Sequence, residues 1–168
     1  MPNIPAKRKA WLEEALAAFS GDDEVKLMKK CLEILAAPTG KLSSDPEEDF
    51  MARENALEQL ESVVDIIDNA KETLYNMGMV EQMISILQGP HDRYHEHVTN
   101  ILLKLVSNYP SALRDCQQDK YGLRKTLENR RQYLQETDQE AYEEEIDYCN
   151  QLIKLCFPDN NIFDSTDR

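Results

Sequence analysis

Three histidines, His91, His95 and His97, fall within seven residues and surround Glu96 in the run PHDRYHEHV. Histidines at i and i+4 share one face of a helix and can hold a metal between them. Pro90, however, places the start of any helix near His91, and no third ligand follows at helical spacing. A metal site needs three or four ligands, so none is assigned. His97 is expected to pack near the core, His95 to face outward beside Glu96, and Tyr94 to lie inside with Val98 and Ile101.

Four cysteines, Cys31, Cys116, Cys149 and Cys156, are scattered without a Cys-x-x-Cys, and each falls on or beside an apolar stripe. That is the pattern of reduced, buried thiols in a cytosolic protein. Seven acids and no base occupy Glu136, Asp138, Glu140, Glu143, Glu144, Glu145 and Asp147. Such a run is either a partner-facing patch or a solvated helix start, and the second is the plainer reading because carboxylates favour the N-terminal dipole. There is no nucleophile elbow, glycine-rich phosphate loop, His-Glu-x-x-His helix or zinc pair. The chain is therefore not expected to be an enzyme, and no cofactor or metal is expected.

Helices must position these residues. All five glycines and all seven prolines fall between segments of helical periodicity, and nothing alternates like a strand. The stripes are Leu12, Ala15, Leu16 and Phe19; Val25, Met28, Leu32 and Leu35, with Cys31 beside them; Leu57, Leu60, Val64 and Ile67; Met79, Val80, Met83 and Leu87; Val98, Ile101, Leu102 and Leu105; Leu123, Leu127 and Leu134; and Tyr142, Ile146, Cys149, Ile153 and Cys156. A short helix is expected from Asn69, and Pro110 suits the first turn of another. The fold class is all-α.

At 168 residues and 41% hydrophobic content the chain can bury a core without disulfides or metal. A net charge of -13 repels phosphate backbones and anionic membrane surfaces, which makes nucleic acid and membrane poor partners. No window of about 18 apolar residues spans a bilayer, and the opening MPNIPAKRKAWLEEALAAF, broken by Glu13 and Glu14, is not a secretory signal. A soluble cytoplasmic monomer is expected.

A long helix, a short helix, a glycine and a further amphipathic helix occur twice. Leu57 and Leu60 recur 45 residues on as Leu102 and Leu105, and Gly78 recurs 44 residues on as Gly122. A period of about 40–47 residues is that of armadillo and HEAT units. Two blocks are more specific. Trp11-Leu12-Glu13-Glu14-Ala15 through Glu24 to Leu32 forms the first; Met77-Gly78-Met79-Val80 with Tyr94-His95-Glu96-His97-Val98, continuing through Leu113-Arg114-Asp115-Cys116, Tyr121-Gly122-Leu123, Asp147-Tyr148-Cys149 and Leu155-Cys156-Phe157 to Asp164-Ser165-Thr166-Asp167-Arg168, forms the second. Together they resemble the cytosolic heat-shock protein 70 binding proteins, the armadillo-type nucleotide exchange factors of DnaK-type chaperones.

The resemblance implies a single armadillo-like domain over 1–157, a short right-handed superhelical stack of about two repeat units plus caps. Within it, 1–37 would be N-terminal cap helices, 38–49 a loop, 50–135 repeat-like helices and 136–157 the C-terminal cap helix, with 158–168 a disordered tail. Family members are longer and carry several further repeats between the two blocks. It implies as partner the ATPase domain of a heat-shock protein 70 chaperone, and as function the promotion of ADP release. The alternative is a shortened, binding-only or inactive isoform. The third helix of each unit lines the family's inner surface, so the candidate contacts are Glu54, Glu58 and Glu61 on the first long helix, Asp68, Asn69 and Ala70 at the following turn, and His95 and Glu96 on the second. Arg53 is a further polar position beside Leu57 and Leu60. Asp68 or Asn69 could equally cap the next helix, since capping needs the same residue types.

Overall fold

The computed structural model describes residues 21–67, 69–89 and 92–158. They form eight α-helices and two 3-10 turns, and no strand occurs among them. The stripe Leu12, Ala15, Leu16 and Phe19 and the expected tail beyond Pro158 lie outside the described residues. The chain divides into two compact units, Met1–Met77 and Gly78–Arg168.

In the first unit, helix α1 (Gly21–Ala36) packs against helix α2 (Pro46–Ile66), with the short α3 (Ala70–Asn76) following. Met28, Cys31, Leu32 and Leu35 recur at i, i+3, i+4 and i+7, so they form one stripe on α1 and are all buried. Val25, read as the start of that stripe, is 41% exposed. The stripe meets Ala56, Leu57, Leu60, Val63 and Val64 of α2. Helix α2 takes in Pro46–Asp49, which the sequence pattern leaves in the loop. Its start is specified chemically: the Asp45 side chain accepts from the Glu47 N–H at 3.1 Å, Pro46 fixes the first turn, and Glu47, Glu48 and Asp49 face the N-terminal dipole. The helix ends one residue before Ile67, whose extended backbone still donates to Val63 O at 3.0 Å.

In the second unit the helices are α4 (Met79–Leu87), α5 (His95–Val106), α6 (Pro110–Cys116), α7 (Leu123–Asp138) and α8 (Glu143–Cys156). Helix α5 is central: it packs on α4, α6 and α8, and Val98, Ile101, Leu102, Leu105 and Val106 are all buried. Helix α8 lies against both α5 and α7. Gln88, just after α4, donates from Nε2 to Tyr121 O at 2.6 Å and to Thr126 Oγ1 at 3.1 Å, which ties α4 to the start of α7. On α8 the buried set is Glu145, Ile146, Cys149, Leu152 and Cys156. Tyr142 precedes the helix and is exposed, and Leu152 takes the inward position expected of Ile153, so the stripe is corrected at these two positions. Positions 145, 149, 152 and 156 have the same 4-3-4 spacing as 142, 146, 149 and 153, so helical period does not choose between them; the packing of α8 against α5 and α7 does.

The twofold helix pattern has a backbone counterpart. Helix α2 ends in extended Ile67 and is followed by Asn69 at φ 67°; helix α5 ends in extended Ser107 and is followed by Asn108 at φ 60°. A seven-residue helix follows each asparagine, then a left-handed glycine, Gly78 at φ 82° or Gly122 at φ 60°. A Cβ at either glycine would meet nothing within 4 Å, so glycine is needed there for its backbone freedom and not for space.

Candidate functional site

On α2, Glu54, Glu58 and Glu61 are spaced four and three residues apart and so share one helix face beside the buried Leu57 and Leu60. All three are half-buried. Asp68 lies outside the described residues. Asn69 is exposed at the N-cap position of α3, but its side chain makes no cap hydrogen bond. Its carbonyl accepts instead, from Thr73 N–H and from Thr73 Oγ1, both at 3.1 Å. Asparagine stands here because it tolerates the left-handed backbone, a role the capping argument did not distinguish. Ala70 is 1% exposed, so its side chain belongs to the core of the first unit and offers no surface to a partner.

The two histidines exchange the places expected of them. His95 is 3% exposed and His97 half-buried. The reason is where α5 begins. A 3-10 turn occupies Asp92–Tyr94, α5 starts at His95, and positions 95, 98, 99 and 102 form its inward face. His95 Nε2 lies 3.2 Å from Ile86 O, and the His95 carbonyl accepts from Thr99 Oγ1 at 2.8 Å. His95 thus holds α4 to α5 within the second unit, and its side chain offers no surface to a partner. Tyr94, Val98 and Ile101 are buried as expected.

Glu96 does face outward. Burial first, then the charges of Glu144 and Glu145, push its carboxyl above the ordinary value; a hydrogen bond with Glu144 adds to this and His97 opposes it. The start of α5 and the start of α8 therefore form one acidic surface. It continues into an open hollow lined by Glu143, Glu144, Ile146, Asp147, Tyr148 and Asn150.

Two buried ion pairs were not read from the sequence. Arg53 is 8% exposed and is not a surface contact. Its Nε donates to Asp49 Oδ1 at 2.6 Å, and its two other nitrogens donate to Leu35 O at 3.3 Å and Pro38 O at 2.9 Å. Asp49 Oδ2 accepts from Gly40 N–H at 3.1 Å. The pair thus caps the last carbonyls of α1 and pins the loop to α2. In the second unit Arg130 grips Glu145 through two bonds, 2.6 Å from Nε and 3.2 Å from Nη2, and joins α7 to α8. Glu145 is 3% exposed, the exception in an acidic run that is otherwise solvated. A signal existed in each case, because Arg53 extends the stripe of 57, 60 and 64 by one turn and Glu145 extends that of 149, 152 and 156. All four cysteines are buried and free, and burial pushes Cys31 and Cys149 to about 12, which keeps those thiols protonated.

Comparison with known proteins bears on what such a surface serves. The family described as nucleotide exchange factor Fes1 matches residues 2–73. Hsp70-binding protein 1 of mouse, of rat and of human is each 39% identical over 87 residues, which cover 52% of this chain and 24% of the relative. The match therefore spans about a quarter of those relatives. The resemblance read from the sequence is borne out: residues 2–73 are similar to the Fes1 nucleotide exchange factor family, and about half of the chain is similar to Hsp70-binding protein 1.

Proposed function

We propose that the chain is a cytoplasmic, monomeric co-chaperone that binds the ATPase domain of heat-shock protein 70 chaperones and promotes ADP release. The observation that carries this reading is the family match over residues 2–73. The all-helical fold supports it, as does the recurrence of long helix, left-handed asparagine, seven-residue helix and left-handed glycine, which we take as armadillo-like units. No covalent bond changes in such a function. The factor binds the state with an open nucleotide cleft more tightly than the closed one, and that difference in affinity is the whole driving force. Contacts fall to the Glu54, Glu58 and Glu61 face with Asp68 and Asn69 in the first unit and to Glu96 in the second, so the complementary patch on the partner is basic.

A second reading is binding without exchange. What favours it is the span of the match, a quarter of the relatives' length. A shift from 1:99 to 99:1 toward the open state takes about 5.5 kcal/mol of differential contact, and a shorter surface supplies less. Stopped-flow release of a fluorescent ADP analogue from the chaperone separates the two. Acceleration at saturating chain supports exchange, retention on the isolated ATPase domain with an unchanged rate supports binding alone, and neither retention nor acceleration overturns both.

A further inference from the structure

The second unit brings two thiols together that no role described above uses. Cys116 is the last residue of α6 and Cys156 the last of α8. Both are buried, α6 packs on α8, and the two thiols act on each other's acidity. The neighbouring Gln117 donates from Nε2 to the Cys156 carbonyl at 2.8 Å, which fixes the end of α8 against the end of α6. The next residue, Phe157, has the Arg124 guanidinium 5.9 Å from its ring centroid. The other two cysteines have no comparable neighbour. Cys31 faces Gln59 Oε1 at 3.8 Å in the first unit, and Cys149 is two turns from Cys156 on one helix, about 10 Å away and beyond the reach of a disulfide.

We propose that Cys116 and Cys156 are an oxidant-closable dithiol, which a small disulfide such as oxidised glutathione converts to an intrachain disulfide stapling α6 to the last turn of α8. Position divides the roles: Cys156 lies in the last turn of α8, and its neighbour Cys116 draws its thiol below the ordinary value, so Cys156 is the first nucleophile. Its place in the terminal turn lets fraying of that turn admit the reagent. The Cys156 thiolate attacks one sulfur of the small disulfide, forms a mixed disulfide and releases one small thiol. Cys116 then loses its proton and attacks Cys156 Sγ, forming the protein S–S bond and releasing the second small thiol. Two protein thiols are oxidised, one small disulfide is reduced to two thiols, and both protons leave on them. The closed loop of 40 residues restricts the unfolded chain and stops α8 from fraying.

Trypsin places the four cysteines in four separate peptides, with Cys116 in 115–120 and Cys156 in 155–168. The test incubates the native full chain with oxidised glutathione, then counts thiols and maps peptides by mass. The expected result is loss of two thiols of the four, a 115–120/155–168 link that a reductant reverses, and a melting temperature raised by roughly 5 °C. Cys116→Ala should instead leave a stable glutathione adduct at Cys156. Retention of all four thiols, a lasting adduct at Cys156 in the unsubstituted chain, or links through Cys31 or Cys149 would overturn the proposal. The mapping of the unsubstituted chain decides it even if the variant does not fold.

Discussion

Among the described residues each unit holds a buried arginine–carboxylate pair, and these two pairs are put to different use. Asp49 and Arg53 are four residues apart on one helix, so their attraction is largely local, and the arginine's remaining donors reach the end of α1 and the loop beyond it. Arg130 and Glu145 lie on different helices, so their pair is itself a tertiary contact, and Glu145 is the more deeply buried carboxylate, its side chain 3% exposed against 8% for Asp49. Removing one partner of a buried pair strands the other, and the cost follows how deeply the stranded charge is buried. The first unit's pair is a clip on a loop; the second unit's pair is a joint between helices.

Arg130→Ala should therefore have the largest effect, about 3 kcal/mol or more, because Glu145 is left charged in a buried site. Urea denaturation would measure it, and hydrogen exchange should place the lost protection in α7 and α8. Replacing both partners, Arg130→Met with Glu145→Leu, should recover most of the loss; failure to recover would mean that the pair is more than a satisfied charge. Arg53→Ala should cost less, about 2 kcal/mol, since Asp49 keeps the Gly40 N–H, and protection should fall at the end of α1 while α7 and α8 keep theirs. Asn69→Ala should cost about 1 kcal/mol, because alanine keeps the Cβ at φ 67° without the short polar side chain that eases the left-handed backbone, and Asn69→Gly should be nearly neutral. A cap lost with the side chain would make the two substitutions alike.

The smallest effect concerns the acidic surface. The Glu96 carboxyl is raised in the fold, so the folded chain binds more protons than the unfolded one between the two values, and stability falls as pH rises through that window. Glu96→Gln should leave stability unchanged below about pH 4 and raise it at pH 7 by under about 0.5 kcal/mol, since solvent screens a side chain this exposed. Thermal melts of both forms from pH 3.5 to 7 would show it. Equal pH profiles would remove the Glu144 and Glu145 charges as neighbours of consequence.

The apolar stripes, the two short helices and the punctuating glycines were legible because helical period and turn chemistry act over a few residues. Leu57, Leu60 and Val64 are all buried, as are Leu123, Leu127 and Leu134. What the sequence hid depended on distance or on register. Arg130 meets a carboxylate 15 residues away, which no local pattern reveals. His95 turned inward because the first turn after Pro90 is 3-10, and that set the phase of α5. At Asn69 the sequence left partner contact and helix cap even and did not show the left-handed backbone, because capping and left-handed backbone favour the same residue types. Among the candidate contacts, Glu54, Glu58, Glu61, Asn69 and Glu96 retain surface, whereas Ala70 and His95 do not.

The proposed coupling of the chain to nucleotide on a chaperone ATPase domain is reciprocal. Calorimetric titration of that domain with the chain, with and without saturating ADP, reads it directly. Exchange activity predicts that ADP weakens the chain's affinity by about 5-fold or more. Binding of equal strength in both titrations would contradict it.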